Sequence, residues 1–254
     1  MTIRVLSWIM GLPILYMGLI GMARSMGLWS GQTIKGDRRS HVMAYEIVSG
    51  LCCTYLFTTG AYFALFHPDY AHMVREPLFG QSEFVENHLL LPMIVYQTYN
   101  ALLGFYIAEL YGNVMLLHHT LTWMLAYLSF TPYVQHSAVF FFGVTEITNI
   151  PLTVCDICRY FPEYKIAFPN LYMGSKWLFY ALFIVIRMVI WPVVSFEFWR
   201  LSLHHLMDES APSPAMTIFF LGTHVLMTIL QMFWGIRIIR RIANAFVVYR
   251  MKCI

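Results

Sequence analysis

KWLFYALFIVIRMVIWPVVSFEF, residues 176–198, carries one charge, Arg187, between Lys176 and Glu197. A helix crosses about 30 Å of hydrocarbon in roughly 20 mostly apolar residues, so this stretch reads as a membrane span with a cation near its middle. Six more apolar stretches lie near 3–23, 44–66, 90–110, 114–131, 133–155 and 214–236. The whole chain of 254 residues is 59% hydrophobic, 11% charged and has a mean hydropathy of +0.63. Ordinary soluble domains carry about 25% charged residues, so a soluble fold is excluded. The expected class is all-α: a polytopic integral membrane protein of about seven transmembrane helices. A formal net charge of +3 gives no argument for nucleic acid as a partner.

The polar segments between the spans alternate in charge, the pattern by which positive residues stay cytosolic. Arg24, Lys35, Arg38 and Arg39 outweigh Asp37, and Asp69, Glu76, Glu83 and Glu86 outweigh Arg75. Arg159, Lys165 and Lys176 outnumber Asp156 and Glu163, Asp208 and Glu209 outnumber Arg200, and the tail holds Arg237, Arg240, Arg241, Arg250 and Lys252. Seven spans with the N-terminus outside place every basic segment in the cytosol. Three parts are expected: residues 1–43, an N-terminal signal-anchor helix and basic cytosolic loop; 44–242, the membrane domain; and 243–254, a basic cytosolic tail. The first span, after Arg4, lacks a clear cleavage site and reads as an uncleaved anchor. The acidic loop 67–89, with Pro68, Pro77 and Gly80, has room for a short amphipathic helix.

Charged groups are costly near a bilayer centre, so each is a functional or pairing hypothesis. Glu46, Glu109 and Glu197 lie near span ends, where they are expected to reach headgroups. Glu146 and Arg187 sit midway along their spans, and an ion pair or a shared polar cavity is the simplest arrangement; a purely structural pair is the competing reading. Glu146, Asn149 and Thr153 form one helical stripe at i, i+3 and i+7. Pro151 and Pro192 deprive the carbonyls of Ile147 and Met188 of their helical donors, and open backbone at membrane depth belongs where it is packed in protein or lines a wet cavity. His224, Thr228 and Gln231 form a second stripe, and Gln97, Asn100 and Gly104 a third. Single polar groups of this kind are more often interhelical fastening than ligands, but several stripes together imply a polar-lined interior.

Of the 10 histidines, the pair His118-His119 enters a helix directly after the turn Tyr111-Gly112-Asn113. Adjacent helical residues point about 100° apart, so one imidazole faces the interior while the other meets a neighbouring helix or the loop. Neutral imidazole is a natural base for an amine or alcohol, or a nucleophile toward a thioester; a hydrogen-bonded structural pair is the alternative. The other pair, His204-His205, lies beyond the sixth span, and His67, His72 and His88 read as interfacial or loop residues. No i, i+3 or i, i+4 histidine spacing suggests a di-iron site, and no metal ligand set is expected. Cys52-Cys53 lies within the second span. Cys155-x-x-Cys158 has no partner set, so zinc or redox use is not expected, and Cys253 stands in the wrong place for prenylation.

At this point the chain resembles the TLC domain, the TRAM-LAG1-CLN8 family, over about residues 44–242. The resemblance rests on Gly104-Phe105-Tyr106-Ile107-Ala108-Glu109 followed by Leu116-Leu117-His118-His119, with Glu109 in place of Asp. It continues through Phe140-Phe141-Phe142-Gly143-Val144-Thr145-Glu146-Ile147-Thr148-Asn149, then the span Trp177 to Arg187, then Trp234 ahead of a basic tail. The non-synthase TLC-domain-containing proteins are the nearer likeness. The resemblance implies an endoplasmic-reticulum protein with a six-helix TLC-type core around a lipid-accessible, polar-lined cavity. In ceramide synthases a His pair and an HD-x-S-D element serve acyl transfer from acyl-CoA to a sphingoid amine. By position these become His118, His119 and Glu146, while Thr145 and Asn149 stand where the synthases have His and Asp.

Three functions follow from this reading, in order. The first is handling of lipid, a fatty acyl chain or sphingolipid, through an intramembrane cavity, with an effect on membrane lipid composition. The second is an acyl-CoA-dependent lipid acyltransferase with His118 or His119 as base or nucleophile and Glu146 orienting it. The third is a structural accessory subunit of a membrane complex. The candidate catalytic residues are His118, His119 and Glu146; the candidate substrate contacts are Arg187, Asn149, Glu109, His224 and Gln231. No bound cofactor is expected, with acyl-CoA as the co-substrate of the second reading. The expected partners are membrane lipids, with a homo-oligomer or membrane-complex partners left open. The endoplasmic reticulum is the first choice of membrane and the mitochondrial inner membrane an alternative; the terminal Arg250-Met251-Lys252-Cys253-Ile254 loosely resembles a di-basic retrieval signal.

Overall fold

The computed structural model describes residues 2–252 apart from 34, 37, 77, 78, 132, 133 and 209–212, with side chains described between residues 6 and 245. Asp37, Pro77, Glu209, Cys253 and Ile254, named above, lie outside the described residues, as do the side chains of Arg4, Arg250, Met251 and Lys252. The chain is helical, with no strand among the described residues. It divides into two compact units, Met1–Phe179 and Tyr180–Ile254.

The first unit begins with α1 (Thr2–Ser25), α2 (Arg39–Phe66) and a short α3 (Pro68–Arg75). Next come α4 (residues 83–106) and α5 (Asn113–Leu128), joined by a tight turn, then α6 (Gln135–Tyr160) and the short α7 (Pro162–Ala167). The long α8 (Pro169–Met207) runs through the unit boundary, and α9 (Pro214–Lys252) completes the second unit. Among the described residues, five helices are long and apolar enough to cross a membrane: Leu6–Ser25, Arg39–Phe66, Gln135–Tyr160, Pro169–Met207 and Pro214–Ala245. The expected third and fourth spans are helical too, but their regular α-helical runs, Leu91–Tyr106 and Asn113–Leu128, have 16 residues each. At 1.5 Å per residue that is about 24 Å, short of the usual hydrocarbon thickness.

Polar contacts cluster at the two ends of the helices of the first unit. At one end Trp29 Nε1 donates to Tyr164 Oη (2.9 Å), Lys35 Nζ donates to the Ala108 carbonyl (2.9 Å), and Arg39 pairs with Glu163 while covering the Phe161 ring. These contacts gather the loop after α1, the α4–α5 turn and the α6–α7 connection, the segments expected in the cytosol. At the far ends of the same helices Ser82 N–H donates to Gln135 Oε1 (3.0 Å) and Ser82 Oγ to Asp69 Oδ2 (2.7 Å), while Tyr70 stacks on His136. The acidic loop thus folds down over the start of α6, and its expected amphipathic helix is α3, opened by Pro68.

The core of the first unit runs along α2, from Val48, Cys52, Cys53 and Leu56 to Phe63, against Met93 and Tyr96 of α4 and Val139 and Phe142 of α6. Helices α2 and α6 touch backbone to backbone. A Cβ on Gly60 would lie 2.6 Å from Gly143 Cα, and one on Gly143 would lie 2.8 Å from Gly60 Cα. Two glycines at this crossing are therefore required by sterics.

Three helices, α4, α6 and α8, change register ahead of an interior proline, while α1 runs through Pro13 unchanged. In α4 a π-helical turn, Glu86–Leu90, precedes Pro92, with Leu91 N–H bonded to the Glu86 carbonyl. In α8 the π stretch Phe183–Ile190 precedes Pro192, with Trp191 N–H bonded to Ile186 O. A π register moves each carbonyl's donor one residue along, so a missing proline N–H is stepped over. Helix α6 goes further, from a π turn at Val139–Gly143 to a 3-10 segment at Val144–Thr148 ahead of Pro151.

Candidate functional site

Glu146 sits in the 3-10 segment of α6, 7% exposed. Helical hydroxyls serve the disturbed backbone around it: Thr145 Oγ1 donates to Phe141 O (2.8 Å), Thr148 Oγ1 to Thr145 O (2.9 Å) and Thr153 Oγ1 to Asn149 O (3.0 Å). Such side-chain donors make irregular helix tolerable away from water. Irregular turns of this kind are frequent at functional sites. The stripe read in the sequence closes on itself, with Asn149 Nδ2 donating to Glu146 Oε2 at 2.7 Å.

Two residues that the sequence reading passed over complete the surroundings of Glu146. The buried Cys53 thiol of α2 lies within electrostatic range of its carboxylate and 3.4 Å from the hydroxyl of Tyr96 on α4. A signal was available, since Glu46, Ser49 and Cys53 are spaced i, i+3 and i+7 and all three are buried. Glu46 corrects an expectation: at 5% exposed it does not reach the headgroup region but lies inside, within electrostatic range of Asp156 and Arg159.

The histidine pair divides its labour as the 100° rule requires. His119 turns inward, and its Nδ1 lies 2.7 Å from Oε1 of the buried Gln97 on α4. Gln97 Nε2 is donating to Met93 Sδ (3.2 Å), so its oxygen is the atom that faces His119. That oxygen only accepts; hence His119 carries its proton on Nδ1 and keeps the lone pair on Nε2. His118 is half-buried with its ring 5.5 Å from that of His119, and its carbonyl accepts from Thr122 Oγ1. The group orienting His119 is thus Gln97, while Glu146 accepts from Asn149. Tyr96 and Gln97 are adjacent on α4, so one helical turn presents both networks.

Glu109 is not part of this group. It lies in the α4–α5 turn, half-buried, and its Oε1 accepts from the Lys35 backbone N–H at 3.1 Å. Glu197 is exposed and chelated by Arg200, with contacts of 2.6 and 2.9 Å, as a span-end residue should be.

Arg187, His224 and Gln231 belong to the second unit. Arg187 is buried in the π stretch of α8 with its guanidinium 5.8 Å from the Phe183 ring. His224 of α9 accepts from Trp199 Nε1 at Nδ1 (3.1 Å), so its Nε2 bears the proton and donates to Ser195 Oγ (3.1 Å). Its ring stacks on Trp191, whose own Nε1 donates to Thr228 (3.2 Å). Two members of the α9 stripe therefore fasten α9 to α8. The third, Gln231, is 1% exposed, and neither polar atom of its side chain has a hydrogen-bond partner.

The TLC domain family model matches residues 1–240, beginning ahead of the 44–242 stretch on which the resemblance rested. No curated protein and no solved structure matches the chain.

Proposed function

The chain belongs to the TLC domain family, and from that premise we propose that it handles a membrane lipid, with the lipid's polar end received among the polar groups inside the first unit. The observation that carries this reading is the pairing of His119 with Gln97 beside the group formed by Tyr96, Cys53 and Glu146, all on helices packed in one core. A membrane-related role is common to the family; the lipid, a fatty acyl or sphingolipid species, and residence in the endoplasmic reticulum are our assignments. Native mass spectrometry of the full chain in mild detergent tests the reading. A stoichiometric co-purified lipid is the expected result, and a lipid-free chain that also takes up none from mixed nanodiscs overturns it.

The acyltransferase reading keeps one specific observation in its favour, the tautomer of His119. With Nδ1–H directed to Gln97, Nε2 is the basic atom. It would take the proton of a lipid hydroxyl or amine as that atom attacks the thioester carbonyl of acyl-CoA, and the departing thiolate would leave as the thiol with that proton. Substituting His118 and His119 by Ala, with the fold retained, should then abolish transfer of a radiolabelled acyl group; unchanged transfer removes this reading and leaves lipid handling.

A further inference from the structure

Asn100 of α4 is buried at 2% exposure, and neither its Oδ1 nor its Nδ2 has a hydrogen-bond partner. A carboxamide taken from water and left unmet is disfavoured, and a buried group in that condition calls for an explanation. The neighbouring Tyr99 hydroxyl is buried without a partner as well, its ring held between Tyr45 and Tyr16.

Helix geometry places Asn100 in a definite sector. At about 100° per residue, Asn100 lies about 60° from Gln97 and about 40° from Tyr96, between the two. Gln97 faces His119 on α5, and Tyr96 faces Cys53 on α2. Asn100 therefore stands between the histidine pair and the Tyr96–Cys53 contact, one turn nearer the end gathered by Lys35 and Trp29. Four residues on, Gly104 lies about 40° from Asn100 on the same side, and a Cβ built there would meet no heavy atom within 4 Å. The helix face is open at that point.

The charge of the interior selects what can enter. Among the described residues, the buried charged side chains of the first unit are Glu46 and Glu146, both acidic. A phosphate or sulfate would bring an anion into a poorly screened interior with no buried cation in that unit to offset it. An uncharged group that donates and accepts together matches a carboxamide, which does the same.

We infer that Asn100 receives the polar end of an uncharged lipid, a hydroxyl beside an ester or amide carbonyl, which reaches it past Gly104. This rests on the lipid-handling reading and names the class of lipid and the residue that recognises it.

The test uses the full chain in nanodiscs with two photoreactive probes of equal chain length, a diazirine monoacylglycerol and a diazirine lysophosphatidic acid. The wild type should be labelled at least tenfold more by the first. Asn100→Leu should lose that labelling at least tenfold while melting at or above the wild-type temperature, because leucine has no polar group to leave unmet. Gly104→Phe, which leaves Asn100 in place and fills the opening, should lose labelling to a similar degree. Labelling of Asn100→Leu at the wild-type level, preference for the phosphate probe, or a melting temperature several degrees below wild type overturns the assignment of Asn100. Absence of labelling of the wild type by either probe overturns the lipid-handling reading itself, which separates the two failures.

Discussion

His119 and His224 are both inward-facing imidazoles on membrane helices, each part of a polar stripe, yet they are held in opposite ways. His224 has a partner at each ring nitrogen, Trp199 at Nδ1 and Ser195 at Nε2, and a tryptophan against its face. Gln97 holds His119 at Nδ1 and leaves Nε2 as the basic atom. A histidine held at both nitrogens is a fastening; one held at a single nitrogen is oriented and still able to take a proton. Spacing in the sequence made the two look alike, and only the partners on the neighbouring helix tell them apart.

The largest effect expected from this contrast is on stability. His224→Ala removes a packed ring and strands the Trp199 donor and the Ser195 acceptor, and should destabilise the chain by about 2–4 kcal/mol. His119→Ala removes one hydrogen bond from a half-buried ring and should cost about 1–2 kcal/mol while eliminating whatever chemistry Nε2 performs. Urea unfolding of both variants in the same micelle compares them directly; equal losses would erase the distinction between fastening and site.

A second effect comes from the backbone contact that sets α6 against α2. Gly143→Ala would place a methyl 2.8 Å from Gly60 Cα and 3.3 Å from Leu89 Cδ1. Backbone has little room to yield, so a loss of about 1–3 kcal/mol is expected. Because Glu146 lies one turn away, the same wedge should weaken lipid retention in native mass spectra although no polar group has been removed. Wild-type stability and retention would mean that Glu146 is not placed by this crossing.

Gln97 gives a finer test. Gln97→Leu cannot hold Nδ1–H, so His119 is free to take the other tautomer, and acyl transfer or labelling should fall roughly tenfold, equivalent to about 1.4 kcal/mol. Gln97→Glu still offers an oxygen to Nδ1–H and should restore most of it. Equal behaviour of the two variants would show that orientation of His119 does not matter to the function.

Much of the helical plan was legible because hydropathy alone marks a span. The stretches read at 44–66 and 133–155 correspond to Arg39–Phe66 and Gln135–Tyr160. They differ at the ends because backbone hydrogen bonding, not apolarity, terminates a helix, and Arg39 to Met43 continue α2 as polar or mixed turns. The disturbances at Pro151 and Pro192 were legible from the missing N–H, but not the π and 3-10 registers that absorb them, and Pro92 went unmarked. The partners of Glu146 were hidden for a different reason. Cys53 comes within electrostatic range of it across α2 and α6, which Gly60 and Gly143 let approach closely, a relation between distant positions that no local pattern carries. Gln97 and His118-His119 were each conspicuous, but their meeting depends on the rotation of α4 against α5.

The smallest effect expected concerns Gln231, and it runs the other way. If the second unit is a fastening, its one wholly unmet carboxamide is a liability, because a buried amide without partners is worse than an apolar group of similar shape. Gln231→Leu should then stabilise the chain by about 1 kcal/mol, raising the urea midpoint with an unchanged slope, and should leave lipid retention as it was. Were Gln231 instead a ligand contact, the same substitution would lower retention while still raising the stability of the lipid-free chain. The two measurements on one variant therefore decide whether the second unit holds only structural polar groups or shares in recognition, and with it whether the contrast between His119 and His224 extends from two residues to the two units that contain them.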